Sequence, residues 1–270
     1  MKLLSLLFGA SLVTTSLLAG PFEPAAGQPG SNAIAAGDVS IVGWATGIVD
    51  ITRGPVDISD SGSVDASFGS AANALGPADA TPIVATPVVS LGDGGSITLS
   101  FSNPITDGPG YDFAIFENGF SDTFLELAFV EVSSNGTDFF RFDAVSQTQT
   151  SVQVGGFDNL DPTDIDNLAG KYRAGWGTPF DLSELSGINP LLDVSAISQV
   201  RVIDTVGSIN PAYRTLDSLG NTINDPWTTP FESSGFDLDA IGVINVIPEP
   251  STWLMLALGL GCVCWNVWRK

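Results

Sequence analysis

Between residues 96 and 101, Ile97, Leu99 and Phe101 alternate with Ser96, Thr98 and Ser100, and the turn-forming run Asp93-Gly94-Gly95 stands directly before them. A period of two residues turns one face of an extended strand to a core and the other to water, which no helix can use. Further short β-favouring runs lie at 41–44, 47–51, 113–116, 129–132, 198–204 and 236–246, with turn chemistry such as Asn118-Gly119 and Asn135-Gly136 between them. Thirty glycines and seventeen prolines punctuate the chain, and no amphipathic stretch reaches three helical turns. The pattern predicts an all-β fold, a single antiparallel β-sandwich of jelly-roll-like outline. Residues 155–187 are the least strand-like: Asp158, Asp161, Asp164, Asp166 and Asp181 sit among Gly, Pro and Asn. They predict a long acidic surface loop, a kind of connection that is commonly functional.

Neither end is counted in that fold. Lys2 followed by an apolar run over residues 3–18 has the layout of a secretory signal, a helical segment over 1–20 with cleavage there or as late as about residue 27. At the other end, Pro248, Glu249 and Pro250 interrupt any regular element. Behind them, residues 253–268 make roughly 24 Å of apolar helix, slightly short of a hydrocarbon core of about 30 Å. Trp253, Trp265 and Trp268 suit the membrane interfaces, and Arg269 with Lys270 predicts a cytoplasmic C-terminus. By itself this tail, residues 247–270, reads either as a plain anchor or as a sorting signal. Cys262 and Cys264 both lie in it, so the body, residues 28–246, is expected to be one domain without disulfides.

Charge prunes the functions open to that body. The chain has 30 acidic and 9 basic residues, no histidine and a net charge of −21, which disfavours nucleic acid and attracts divalent cations. Without histidine, Ser-His-Asp and Cys-His catalysis and histidine zinc sites are excluded within this chain. Carboxylates remain. If 113–116 is a strand, Asp112 stands at its entry and Glu117 with Asn118 at its exit, and such an oxygen-rich rim suits calcium, though not with EF-hand spacing. Asp237 and Asp239 share the parity of one strand, about 7 Å apart, and repel unless a cation intervenes. A solvated edge explains either group equally well. Tyr172 and Trp176 in the acidic loop, and Trp227 beside Phe231 in a proline-rich one, are candidate platforms for a sugar ring, with core packing as the alternative.

The order Pro248-Glu249-Pro250, apolar span and basic end resembles the PEP-CTERM sorting tail of Gram-negative bacteria, departing from it in having only two basic residues after Trp268. The resemblance implies a transient inner-membrane anchor, processing by an exosortase, and delivery to the cell surface or the exopolysaccharide matrix. In the body, the blocks beginning Leu91-Gly92-Asp93, Tyr111-Asp112-Phe113, Ala128-Phe129-Val130, Ala174-Gly175-Trp176 and Gly235-Phe236-Asp237 resemble bacterial cell-surface domains of the galactose-binding or discoidin-like kind. That likeness implies binding rather than catalysis; the Trp176 block departs from the usual pattern. The expectation is a non-catalytic, calcium-stabilised binding or structural protein that meets exopolysaccharide or another surface glycan and no nucleic acid. The alternative is a carboxylate-dependent glycan hydrolase using Glu117, Glu126 or Glu131; Glu126 and Glu131 differ in parity, which counts against that pair.

Overall fold

A computed structural model of the chain describes residues 20–84 and 87–247. Residues 1–19 of the expected signal, the sorting residues Pro248, Glu249 and Pro250, and the expected transmembrane helix at 253–268 lie outside the described residues. Among the described residues no helix is long and apolar enough to cross a membrane. In chain order the strands are β1 (Ile34–Ala35), β2 (Gly43–Trp44), β3 (Gly47–Thr52), β4 (Val89–Ser90), β5 (Ser96–Ile105), β6 (Phe113–Glu117) and β7 (Ala128–Ser133). They continue as β8 (Phe140–Arg141), β9 (Val145–Ser146), β10 (Ile165–Asp166), β11 (Trp176–Phe180), β12 (Ile197–Asp204) and β13 (Asp237–Val243).

Two antiparallel sheets hold most of them. One runs β1-β11-β6-β13-β2, with β4 also on β13; the other runs β3-β5-β12-β7-β8, and β9 pairs with β10 as a separate ribbon. The alternation read at 96–101 now has its cause, since Ile97 and Leu99 of β5 face the same core as Val130 and Val132 of β7 and Val200 and Val202 of β12. From the first sheet Phe113, Ile115, Ile241 and Val243 meet them. Phe113 anchors this layer, its ring centroid 5.3 Å from Phe180 and 5.9 Å from Phe142. The first sheet is covered on its outer side too, where Ala114, Phe116 and Ala240 pack under Ile34, Ile41 and Trp44. Burial on both faces makes every residue of β6 and β13 buried, without alternation.

The outer face of the second sheet shows what happens to a carboxylate with partners. Glu131 of β7 lies opposite Arg141 on one neighbouring strand and Arg201 on the other. Arg141 donates to Oε1 from Nε at 2.9 Å and Nη2 at 2.8 Å, and Arg201 donates to Oε2 at 2.8 and 2.5 Å. Each guanidinium puts two N–H groups on one oxygen, so both oxygens are occupied and Glu131 is a cross-strand tie.

The expectation of one long loop over 155–187 is corrected. The segment contains β10 and, in β11, a strand between β1 and β6, with Thr178 opposite Ile115 and Phe180 opposite Phe113. Gly177 and Pro179 disguise it. β1 covers only Trp176 and Gly177, so the missing amide hydrogen of Pro179 costs no bond to that neighbour. The outermost strands are mostly stubs: β1, β2 and β8 are two residues long, and the longer β3 has a register shift between Ile48 and Asp50.

Candidate functional site

β6 fixes the first acid. Phe113, Ile115 and Glu117 share one face of the strand, and since the first two are core residues, Glu117 points the same way at the strand's last position. It is 1 % exposed. The Asn118-Gly119 turn folds back over it, and the Gly119 amide donates to Glu117 Oε2 at 2.6 Å; a Cβ on Gly119 would stand 2.9 Å from that oxygen. Glu117 Oε1 is buried without a hydrogen-bond partner.

β13 brings the next two. Leu238 is in register with Glu117, and the pairing then shifts before Ala240 meets Phe116, so Asp239 sits in a bulge. The strict parity read from the sequence therefore breaks here. Asp239 accepts from the Asp79 and Ala80 amides at 3.4 and 3.2 Å, whereas Asp237 accepts from the Ser90 hydroxyl and from Asn118 Nδ2, the latter at 3.0 Å. The two aspartates thus turn to different neighbours. Glu126 comes from the segment just before β7, against which residue 170 packs so closely that a Cβ would lie 1.8 Å from the Glu126 carbonyl oxygen. Only glycine fits there, also because φ is +83°.

Asn118, Glu126 and Asp237 line one cavity of about 160 Å³, and four phenylalanines from three separate loops stand around it. No lysine or arginine is among its lining residues. Burial raises the Glu117 carboxyl well above its usual range, and Asp237 raises it further. Glu126 is raised in the same way, first by burial and then by Asp237 and Glu117, so these three carboxylates repel one another. Burial pushes Asp237 up to about 7 and Asp239 up to about 6. Among the described residues the cation that acts on Asp237 is Arg53, whose guanidinium donates to the Phe68, Ser90 and Gly69 carbonyls. Behind the cavity lie more buried acids: Asp204 accepts from the Gly94 and Phe236 amides, and Asp225 from the Leu127 amide and the Thr205 hydroxyl, each at 3.0 Å.

The remaining expected residues are distributed elsewhere. Asp112 is at the opposite end of β6 from Glu117, roughly 16 Å away along the strand, so the two do not form one rim. It ties loops together instead, accepting from the Gly108 and Leu182 amides and from Asn245 Nδ2 at 2.8, 2.7 and 2.9 Å. With Asp107 and Asp181 it makes a trio whose oxygens lie within 4.8 Å of one another; the carboxylates of the cavity stand further apart than that. Tyr172 is buried and its hydroxyl donates to Asn32, so its ring is no open platform. Trp176 belongs to β11, with the Arg173 guanidinium 5.8 Å from its ring, and Trp227 donates from Nε1 to Asp93 at 3.0 Å. The open rings are Phe120, Phe157 and Phe231. Only Phe231 stood out in the sequence; three loops far apart in the chain assemble the group, and no spacing announces it.

Residues 246–270 match the PEP-CTERM protein-sorting motif, which marks the chain as an exosortase-sorted extracellular protein that passes through a membrane-anchored stage. No curated protein and no solved structure matches it. The body's all-β architecture agrees with the expected sandwich, while no homologue supports a galactose-binding or discoidin-like assignment.

Proposed function

We propose, starting from the PEP-CTERM sorting motif at residues 246–270, that the chain is a cell-surface or matrix protein whose sandwich holds calcium and performs no catalytic step. One observation carries this reading: Glu117 is buried with an unpartnered oxygen, and its charge acts on Glu126, which with Asp237 lines a cavity without a basic residue. Buried carboxylates are stable when protonated, paired with a cationic side chain or bound to metal. Glu131 shows the second solution elsewhere in the same fold. Glu117, Glu126 and Asp237 stand too far apart here to meet on one ion, so a dication would have to draw them together on binding; calcium suits this, because it takes six to eight oxygens and accepts irregular geometry. It turns their mutual repulsion into attraction and fastens β6, β13 and the segment before β7 together at one end of the sandwich.

Melting curves of the purified protein in calcium and in chelator test this. At free calcium a hundredfold above Kd the stabilisation is about 2.7 kcal/mol, which for a domain of this size raises Tm by roughly 5–10 °C. Glu117→Gln is expected to abolish most of that rise while leaving the chelated protein no less stable, since it removes a buried charge. Identical melting with calcium and with chelator defeats the proposal. The raised carboxyls of Glu117 and Glu126, the second of which lines the cavity, also suit a general acid. Turnover of a polysaccharide that disappears in Glu117→Gln would replace the binding reading by a hydrolytic one.

The sorting motif has its own test. A chain ending at Ile247 is expected to leave the membrane fraction and appear in the medium, with its melting temperature unchanged. The sandwich closes before that point, its last backbone bond running from the Ile247 amide to the Pro104 carbonyl at 3.1 Å. Continued membrane retention of the shortened chain would contradict the assignment.

A further inference from the structure

We infer that the cavity beside Phe120, Phe157 and Phe231 binds a small quaternary ammonium compound, its methyl groups against the phenyl faces and its positive charge towards Glu126 and Asp237. The rings form a continuous row. Phe120 stacks on Phe124 at 4.1 Å between centroids, Phe124 lies 6.3 Å from Phe157, and Phe157 lies 5.8 Å from Phe231, which is tilted against it by 46°. All four line the cavity, and Phe120, Phe157 and Phe231 are 51, 67 and 49 % exposed, so large apolar side chains from separate loops meet in water at one opening. Grouped exposed rings of this kind mark a surface that is covered in use. Glu126 and Asp237, which line the same cavity, are buried, and no lysine or arginine lines it.

Charge selects the occupant. Glu117, Asp204 and Asp225 add their repulsion to that of Asp237 at Glu126, so the field in the cavity is negative and draws in a positive ligand. The Arg53 guanidinium, which acts on Asp237, is taken up by three carbonyls and does not line the cavity. The spacing of the acids sets the size of the cation. Among the described residues no three carboxylates at the cavity have oxygens within 4.8 Å of one another, whereas a metal ion holds its oxygens in direct contact at about 2.3–2.6 Å. A quaternary head spreads its charge over a sphere of methyl groups and is attracted by separated carboxylates as they stand. Phenyl rings offer no hydrogen-bond acceptor, so they suit those methyl groups better than a primary ammonium, a strongly hydrated charge with three donors to satisfy. The volume of about 160 Å³ is roughly that of five waters and matches a trimethylammonium head of about five heavy atoms. The same acids repel a carboxylate or phosphate on the ligand, so the compound is one without an anionic group, of the choline type. The inference goes beyond the calcium reading and does not rest on it: the two cations are alternative occupants at Glu126 and Asp237.

The test is calorimetric titration of choline into the full-length protein, held in non-ionic detergent and chelator at about pH 8, where Asp237, pushed up to about 7, is ionised. Saturable binding with a Kd of about 1 mM or tighter is expected. The neutral isostere of choline, with carbon in place of nitrogen, and glycine betaine should each bind about tenfold more weakly. The double variant F157A/F231A should weaken choline binding about tenfold and leave Tm unchanged, because both side chains are exposed. Glu126→Gln should weaken it by a similar factor. Absence of saturation at choline concentrations about tenfold above that Kd overturns the proposal. Equal binding of the neutral isostere would make the rim a merely apolar face and overturn it too. So would choline binding indifferent to F157A/F231A or to Glu126→Gln, which would be general attraction to a chain of charge −21. Because the titration runs in chelator, the calcium reading fails separately, through an absent calcium-induced rise in Tm.

Discussion

Asp225→Asn is expected to raise the melting temperature of the protein in chelator at about pH 8 by roughly 5–10 °C, and to change it little at about pH 4. Burial pushes the Asp225 carboxyl from 3.8 up to about 8, with Asp93 adding to the shift. The charged groups facing it are all acidic: its charge in turn raises Asp204 and Glu126. Below the unfolded value both states are protonated and the group is neutral towards stability. Between that value and about 8 the folded state keeps a proton that the unfolded chain has lost, so rising pH favours unfolding throughout this window. The shift bounds the effect at about 6 kcal/mol, at roughly 1.4 kcal/mol per unit, and relaxation of the buried site is expected to leave about half. Asparagine cannot ionise, and its carbonyl oxygen still accepts from Leu127 and Thr205. Parallel melting curves for variant and parent across the pH range would show that Asp225 titrates normally, and the account would fall.

Phe113→Ala is expected to cost about 3–5 kcal/mol, a drop of roughly 10–15 °C in Tm. The ring is fully buried between the sheets, and the strand that carries it pairs on both sides, with Phe180 of β11 and Val243 of β13. No neighbour can collapse into the space without moving a sheet. Phe157→Ala, taken from a ring 67 % exposed, is expected to stay within about 0.5 kcal/mol of the parent. Similar losses for the two variants, measured by thermal or denaturant unfolding, would mean that the sheets do not pack face to face through Phe113.

The strands could be read from the sequence wherever one face is wet or a turn dipeptide marks the end. β5 is legible because Ile97 and Leu99 alternate with hydroxyl residues, and β12 because Val200 and Val202 alternate with Arg201. β11 was hidden, since Gly177 and Pro179 are turn residues in most contexts and only the shortness of β1 makes them acceptable. Period two puts Asp237 and Asp239 on one face because it assumes an unbroken ladder, whereas the bulge at Asp239 is a property of the pairing with β6. Asp112 and Glu117 look like one group in the sequence for a related reason: the ends of a strand are adjacent in sequence and far apart in space. Least legible were Asp204 and Asp225, because an aspartate in an acidic chain looks like surface until the backbone amides that hold it are known.

The short outer strands have a consequence for life outside the cell. A protein displayed at high density presents its sheet edges to identical neighbours, and an unpaired edge is a template for adding another chain. Here β1, β2 and β8 offer two residues each, and the longer β3 is interrupted by its register shift. A neighbour docking edge to edge finds too few consecutive backbone groups to extend a ladder. Crowding therefore leaves the molecules as separate units instead of driving them into fibres.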